Sequence, residues 1–211
     1  VGFLSDPGEM QDIRYTSFNK PYQITKGDVE INVEYGPNKI RRYMVMEENG
    51  SVVLERYYGN GFIKEIKNGV TRYITIVQGP DGILGFNIKE EGSIPVFYYA
   101  LKNYLGTILA LMDKDGNMVE RYNYDAWGRR RNPNTWEYTN VPEPELINFG
   151  FTSHEHWDKV NLINMTGRLY DPYLARVLNP DPFVSDPNSS QALNRYSYAM
   201  NNPFVFFDPN G

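Results

Sequence analysis

Residues able to do chemistry gather near the C-terminal end of this 211-residue chain. Four Asp-Pro pairs, Asp171-Pro172, Asp181-Pro182, Asp186-Pro187 and Asp208-Pro209, place carboxylates where the backbone must turn. A residue before proline is pushed out of the helical region, and an aspartate there folds its carboxylate back onto nearby amides. On residue type alone turn formation is a sufficient role for each. Two carboxylates brought together have a second use. Sharing one proton, they leave one group ionised to activate water and one protonated to donate to a carbonyl, the requirement for peptide hydrolysis.

The segment Ser153 to Asp158, "SHEHWD", carries the only two histidines, His154 and His156. On a strand they would share a face and offer two metal ligands, but no spacing selects a third, so a hydrogen-bonded loop is the preferred reading and neither metal nor cofactor is expected. The chain has no cysteine, which removes disulfides, thiolate nucleophiles and cysteine metal sites together. Its net charge is −5 with lysines and arginines scattered, so nucleic acid is not an expected partner. No stretch approaches the roughly 20 apolar residues of a membrane span. The opening "VGFLSDPGEM" has neither signal-peptide regions nor an initiator Met, and the sequence reads as a piece of something longer.

The elements that must position these groups are strands. Aromatic content is 15%, and flat rings suit a pleated, half-buried surface. Asn-Gly and Asp-Gly pairs fall at Asn49-Gly50, Asn60-Gly61, Asn68-Gly69, Asp81-Gly82, Asp115-Gly116 and Asn210-Gly211, separated by Val-, Ile- and Tyr-rich runs of strand length such as "RRYMVM" and "TRYITIVQ". This pattern predicts a meander of antiparallel hairpins. "MEENGSVVLERYY" from Met46 aligns with "MDKDGNMVERYNY" from Met112, each a strand, turn and strand ending in Glu-Arg-Tyr, which reads as a repeat. Residues 1–131 are assigned to hairpin repeats, the Pro-rich stretch 132–150 to a connection, and 151–211 to a separate C-terminal domain. One short helix is expected over Ser189–Met200, with Leu193, Tyr196 and Met200 on one face. The run Phe204–Phe207 reads as a strand leading into a turn.

"YNYDAWGRRR", Tyr122 to Arg131, resembles the tyrosine-aspartate repeat of the Rhs, teneurin and insecticidal-toxin families. "GRLYDPYLARVLNPDPF", "NRYSYAMNNP" and "DPNG", in that order, resemble the Rhs-repeat-associated core domain that ends the repeat shell in these proteins. Two departures stand out. Leu174-Ala175-Arg176-Val177 replaces the usual Leu-Gly-Arg-Phe, and no glycine follows Asp181-Pro182. Both concern backbone path more than chemistry.

The resemblance implies a mainly β fold: antiparallel hairpin repeats forming part of a spiral β-shell, with a loop-rich core domain. It further implies encapsulation of a C-terminal polypeptide, often a toxin, released by aspartyl autoproteolysis just beyond the Asp-Pro-x-Gly motif. Motif matching assigns the aspartates to Asp181 and Asp208 and the supporting arginine to Arg168, with Arg176 a second candidate. A guanidinium held bidentately against a carboxylate would keep it ionised and fix the base. The expected partners are the protein's own C-terminal effector and its upstream repeats, in a bacterial, secreted or cell-surface setting. An exposed sheet edge on the isolated segment implies edge pairing, a dimer, or cover by the N-terminal segment. The competing class is a non-catalytic structural or surface-interaction module, with Tyr57, Tyr58, Tyr122, Tyr124 and Trp127 offering a sugar-stacking platform if exposed together; cross-strand aromatic packing explains the same rings.

Overall fold

A computed structural model describes residues 11–181 and 193–208. Asp186-Pro187, Ser189, Ser190 and Asn210-Gly211 lie outside the described residues. Eleven strands neighbour one another in chain order without closing into a barrel: β1 (Gln11–Tyr15), β2 (Pro21–Lys26), β3 (Val29–Tyr35), β4 (Arg41–Glu48), β5 (Ser51–Gly59), β6 (Phe62–Lys67), β7 (Val70–Gly79), β8 (Gly82–Glu90), β9 (Val96–Lys102), β10 (Ile108–Met112) and β11 (Met118–Arg121). The fold is mainly antiparallel β, as expected. It divides into a hairpin unit, residues 11–100 and 111–119, and a core unit made of 101–110 and the described residues from 120 onward. Among the described residues no helix is long and apolar enough to cross a membrane.

In the hairpin unit the turns are built as the dipeptides require. Asn49-Gly50 and Asn68-Gly69 place both central residues at positive φ (52° and 72°; 50° and 81°), the type I′ geometry whose twist matches the flanking strands. A second turn recurs among the described residues. In Thr16–Lys20, Gly36–Ile40, Asn103–Thr107, Asp113–Asn117 and Asp125–Arg129 the first N–H donates to the fifth carbonyl and the fourth N–H donates back to the first. The fourth residue is left-handed each time, and in the last three it is Gly106, Gly116 or Gly128. In those three the side chain of the first residue accepts from the third and fifth N–H at 2.8–3.0 Å. The pattern Asn/Asp-x-x-Gly is therefore a structural repeat, with the carboxylate or amide closing the turn. The Glu-Arg-Tyr ends are alike in detail: Tyr57 donates to Glu55 at 3.4 Å and Tyr122 to Glu120 at 2.6 Å.

One face of the hairpin sheet is apolar. Ile31 faces Met46, which faces Leu54; Ile63 faces Ile74, which faces Ile88; all are buried, each contributing about 1.5–3 kcal/mol. A charged rung crosses this face, where Arg56, Glu65 and Arg72 lie directly opposite one another on β5, β6 and β7. Arg56 Nε and Nη2 donate to Glu65 Oε2 at 2.7 and 2.5 Å, Arg72 Nε donates to Oε1 at 2.9 Å, and Arg72 Nη2 also reaches Oε1. Glu65 has no exposed surface. Burial alone would raise its pKa, and the two guanidinium groups outweigh that and hold the carboxyl below its ordinary value.

The core unit holds β12 (Asn123–Tyr124) paired with β13 (Arg130–Arg131), and a four-stranded antiparallel sheet of β14 (Glu155–Trp157), β15 (Leu162–Met165), β16 (Arg168–Asp171) and β17 (Arg176–Val177). Every residue of β14, β15 and β16 is buried, so these strands are covered on both faces and show no polar alternation. Their polar members are tied down; for example, Leu169 N–H donates to Asn179 Oδ1 at 3.0 Å.

The expected helix is not formed over its described part. Leu193 to Tyr198 are turns and a single bridge, followed by a 3-10 turn at Ala199–Asn201 whose three residues sit at positive φ. Asn194 Oδ1 accepts from Tyr196 N–H and Ser197 Oγ donates to Asn194 O, local bonds that compete with a helical ladder. Phe204–Phe207 is likewise not a strand: Val205 and Phe206 N–H both donate to Asn202 O, which folds the run into a turn with exposed rings.

Candidate active site: two aspartates on one guanidinium

Arg168 opens β16 opposite Met165, and its side chain is buried. Nη1 lies 2.9 Å from Asp181 Oδ2, and Nη2 lies 2.5 Å from Asp208 Oδ2. Two carboxylates 27 residues apart in the chain thus meet on one guanidinium. They are not sealed in: the side chains of Asp181 and Asp208 retain 32% and 24% of their surface, against 6% for Arg168. Water can reach the acids while the arginine is held in protein.

The backbone around each acid is constrained. Asp181 N–H donates to Arg195 O at 2.9 Å, and Arg195 Nε returns a bond to Asp181 O at 2.5 Å. Val177 N–H to Tyr196 O at 3.1 Å and the Arg176–Ser197 bridge extend this pairing. Asp208 follows the Asn202-anchored turn, and Tyr104 Oη donates to Phe204 O at 2.6 Å. Arg176 donates to Asn201 Oδ1 at 2.5 Å, while Arg168 holds the two acids. Asp171 is occupied as a turn residue, accepting from Tyr173 and Leu174 N–H.

Ala175, where the resembling sequences carry glycine, sits at φ 54°, a left-handed conformation that costs an L-residue about 1–2 kcal/mol. The alanine is strained. Ala175→Gly is expected to raise stability by about 0.5–1 kcal/mol, the relief of strain being offset in part by the freer unfolded chain; equilibrium urea unfolding measures it.

Sequence reading missed the network beneath the site. His156 Nε2 accepts from Phe151 N–H at 3.0 Å, and His154 Nδ1 meets Thr152 Oγ1 at 2.9 Å. Both rings are buried, and burial first, then Arg130 and His154, push His156 well below the usual imidazole range, so it stays neutral. Among the described residues no group of three or more His, Cys, Asp or Glu is arranged to hold a metal. Arg130 Nε pairs with Asp158 Oδ1 at 2.6 Å and Nη1 donates to Tyr124 Oη at 2.8 Å. The sequence signals were the two histidines, expected in a hydrogen-bonded loop and found hydrogen-bonded with His156 on β14, and the density of aromatic and polar residues in 151–171. Gly150 lets this network close: a Cβ there would stand 2.0 Å from Tyr124 Oη and 3.1 Å from His156 Nε2. Gly150→Ala is expected to cost at least about 1–3 kcal/mol, as overpacking does, read as a lower thermal midpoint.

The rings considered for sugar stacking divide. Tyr122 and Tyr124 are buried, while Tyr57 is exposed but pairs with its cross-strand neighbour Tyr43 at 4.8 Å between centroids.

An open meander of hairpins closed by Asn/Asp-x-x-Gly turns, with a buried C-terminal sheet presenting an arginine to two Asp-Pro carboxylates, defines a segment of a tyrosine-aspartate repeat shell. Residues 7–204 match the teneurin YD-shell family, and the chain belongs to it. It is 28% identical over 167 residues to the tRNA3(Ser)-specific nuclease WapA of Bacillus spizizenii, covering 77% of this chain and 7% of that protein. It is also 28% identical over 169 residues to salivary gland surface protein 1 of Aedes aegypti, covering 80% of this chain and 4% of the relative. A crystal structure of TcdB2-TccC3-Cdc42 superimposes with a TM-score of 0.77 at 18% identity, over 95% of this chain and 10% of that one. The chain is a Rhs-type YD-repeat β-shell segment that spans a small fraction of each relative's length.

Proposed function

We propose that this segment ends a β-shell enclosing a C-terminal polypeptide and cuts that polypeptide free in cis, just beyond Asp208-Pro209-Asn210-Gly211. The observation that carries the reading is the shared guanidinium, with Arg168 Nη1 on Asp181 and Nη2 on Asp208. One positive charge can hold one carboxylate ionised as the base, and hydrolysis requires the other to supply a proton. In hydrolysis, water gives a proton to the ionised aspartate as its oxygen bonds the scissile carbonyl carbon, and the protonated aspartate gives its proton to the carbonyl oxygen. Collapse breaks the C–N bond. The proton taken from water passes to the leaving amine, and the diol's proton returns to the second aspartate, so one water is consumed and both acids are restored.

The names of matched relatives, a tRNA nuclease of a Bacillus and a Tc holotoxin pore of Photorhabdus luminescens, support a toxic polypeptide as cargo and a bacterial source, and a secreted or cell-surface setting is proposed with it. Upstream repeats of the same protein are the proposed neighbours of β1, the first strand of the sheet order. In the competing reading Arg168 is a structural clamp in a surface module. Expression of a chain extended past Gly211 separates the two. The proteolytic reading expects two products from purified protein, and a chain that stays whole supports the clamp.

A further inference from the structure

Arg195 is exposed, yet it holds the main chain of Asp181 on both sides of its Cα. Asp181 N–H donates to Arg195 O at 2.9 Å, and Arg195 Nε donates to Asp181 O at 2.5 Å. In a regular antiparallel pair two facing residues exchange two main-chain bonds. Here Arg195 supplies an acceptor with its main chain and a donor with its guanidinium. Each peptide is planar, so fixing the peptides before and after Asp181 fixes both of its soft dihedrals and with them the direction of its Cβ. The turn that presents Arg195 is closed locally: Asn194 Oδ1 accepts from Tyr196 N–H at 3.2 Å, and Asn194 O accepts from Ser197 N–H at 3.0 Å. On its other flank the segment leading to Asp181 is tied to β16, the strand that carries Arg168. Leu178 N–H donates to Leu169 O at 2.7 Å, and Leu169 N–H donates to Asn179 Oδ1 at 3.0 Å.

Resting on the hydrolytic reading of Asp181 and Asp208, we infer that Arg195 is a positioning residue for the cut, one that aims the Asp181 carboxylate at the guanidinium of Arg168. Asp181 Oδ2 lies 2.9 Å from Arg168 Nη1. The need for a second restraint follows from the exposure of the acid. Asp181 keeps 32% of its side-chain surface where Arg168 keeps 6%, so close packing holds the arginine in place but not the aspartate. A reacting group has to be held in its productive geometry before the barrier is crossed, and a displacement of about 1 Å can cost about 100-fold in rate. Fixing the main chain of Asp181 leaves the side-chain torsions to be set by the bond to Arg168. Both bonds from Arg195 fall on the main chain of Asp181 and neither on its carboxylate, so Arg195 moves no proton and the balance between water, the two aspartates and the leaving amine is unchanged.

The test uses a chain extended past Gly211, made in a cell-free system so that cutting is followed from synthesis. Arg195→Ala is expected to slow cleavage about 100-fold, the loss that a misplacement of about 1 Å carries. Its melting temperature is expected within about 2 °C of the parent's, because the side chain removed is exposed. Guanidinium ion at millimolar concentration, far below denaturing levels, is expected to restore part of the lost rate in Arg195→Ala and to leave the parent unchanged, since the free cation can donate to the Asp181 carbonyl from solvent. Cleavage of Arg195→Ala at the parent rate overturns the assignment. So does slow cleavage that guanidinium ion leaves unchanged, or a melting temperature that falls with the rate, the marks of a structural role. Asp181→Asn is run alongside. If it stops the cut while Arg195→Ala cuts at the parent rate, only the Arg195 assignment fails; if it too cuts at the parent rate, the hydrolytic reading fails with it.

Discussion

An Asp181→Asn or Asp208→Asn chain, extended past Gly211, should stay uncut while its parent is processed. Each substitution removes one member of a pair that must present one ionised and one protonated carboxyl, and losing a general acid or base typically costs about 10²–10⁴-fold, turning minutes into hours to days. The variants keep shape and hydrogen-bonding capacity at the turn. The amide oxygen can still accept from Arg168 at the positions now held by Asp181 Oδ2 and Asp208 Oδ2. A clamp role would therefore survive Asp→Asn better than a proton-transfer role. The expected result is loss of cleavage with a melting temperature near that of the parent, read by gel and calorimetry on the same preparation.

Glu65→Gln should be the most destabilising single change in the hairpin unit. It strips the charge that Arg56 and Arg72 both lean on and leaves two buried guanidinium groups facing each other across a neutral amide. Breaking a buried ionic cluster by removing one partner costs about 3–5 kcal/mol. For a chain of this size that is roughly 6–20 °C in Tm. The sign with pH follows from the same geometry. Glu65 titrates lower folded than unfolded, so its contribution is complete above the unfolded value of about 4.3 and is lost as pH falls below it. His156 acts in the same direction earlier. Held neutral by burial, it costs stability once pH drops below the unfolded imidazole value of about 6.5. Thermal melts from pH 7 to pH 3 should show a decline in two stages, and Glu65→Gln should flatten only the more acidic one.

The hairpins were legible because their turns are chemically explicit. Asn-Gly or Asp-Gly at 49–50, 60–61, 68–69, 81–82 and 115–116 each sits at a strand junction of the meander. The buried sheet of β14 to β16 was not, because a strand covered on both faces has no alternation to read, and "RLYD" or "EHW" does not look like core. Arg56, Glu65 and Arg72 were invisible for a related reason. Charged residues in Val- and Ile-rich strands read as the solvent face, and only the register brings the three together. The expected helix failed where Asn194 and Ser197 bond locally, and the expected Phe204–Phe207 strand failed where Asn202 gathers two N–H groups. Arg168 and Asp208 stand 40 residues apart in the chain. No periodicity joins them, and they were named together on family resemblance alone.

The acids on Arg168 are proposed to cut their own chain. Intact-mass spectrometry of purified protein extended past Gly211 is the test. Two species whose new ends meet within a few residues of Gly211 are expected, and a single uncut species when Asp181 and Asp208 are both asparagine. One uncut mass from the parent, or the same two fragments from the double variant, would contradict it.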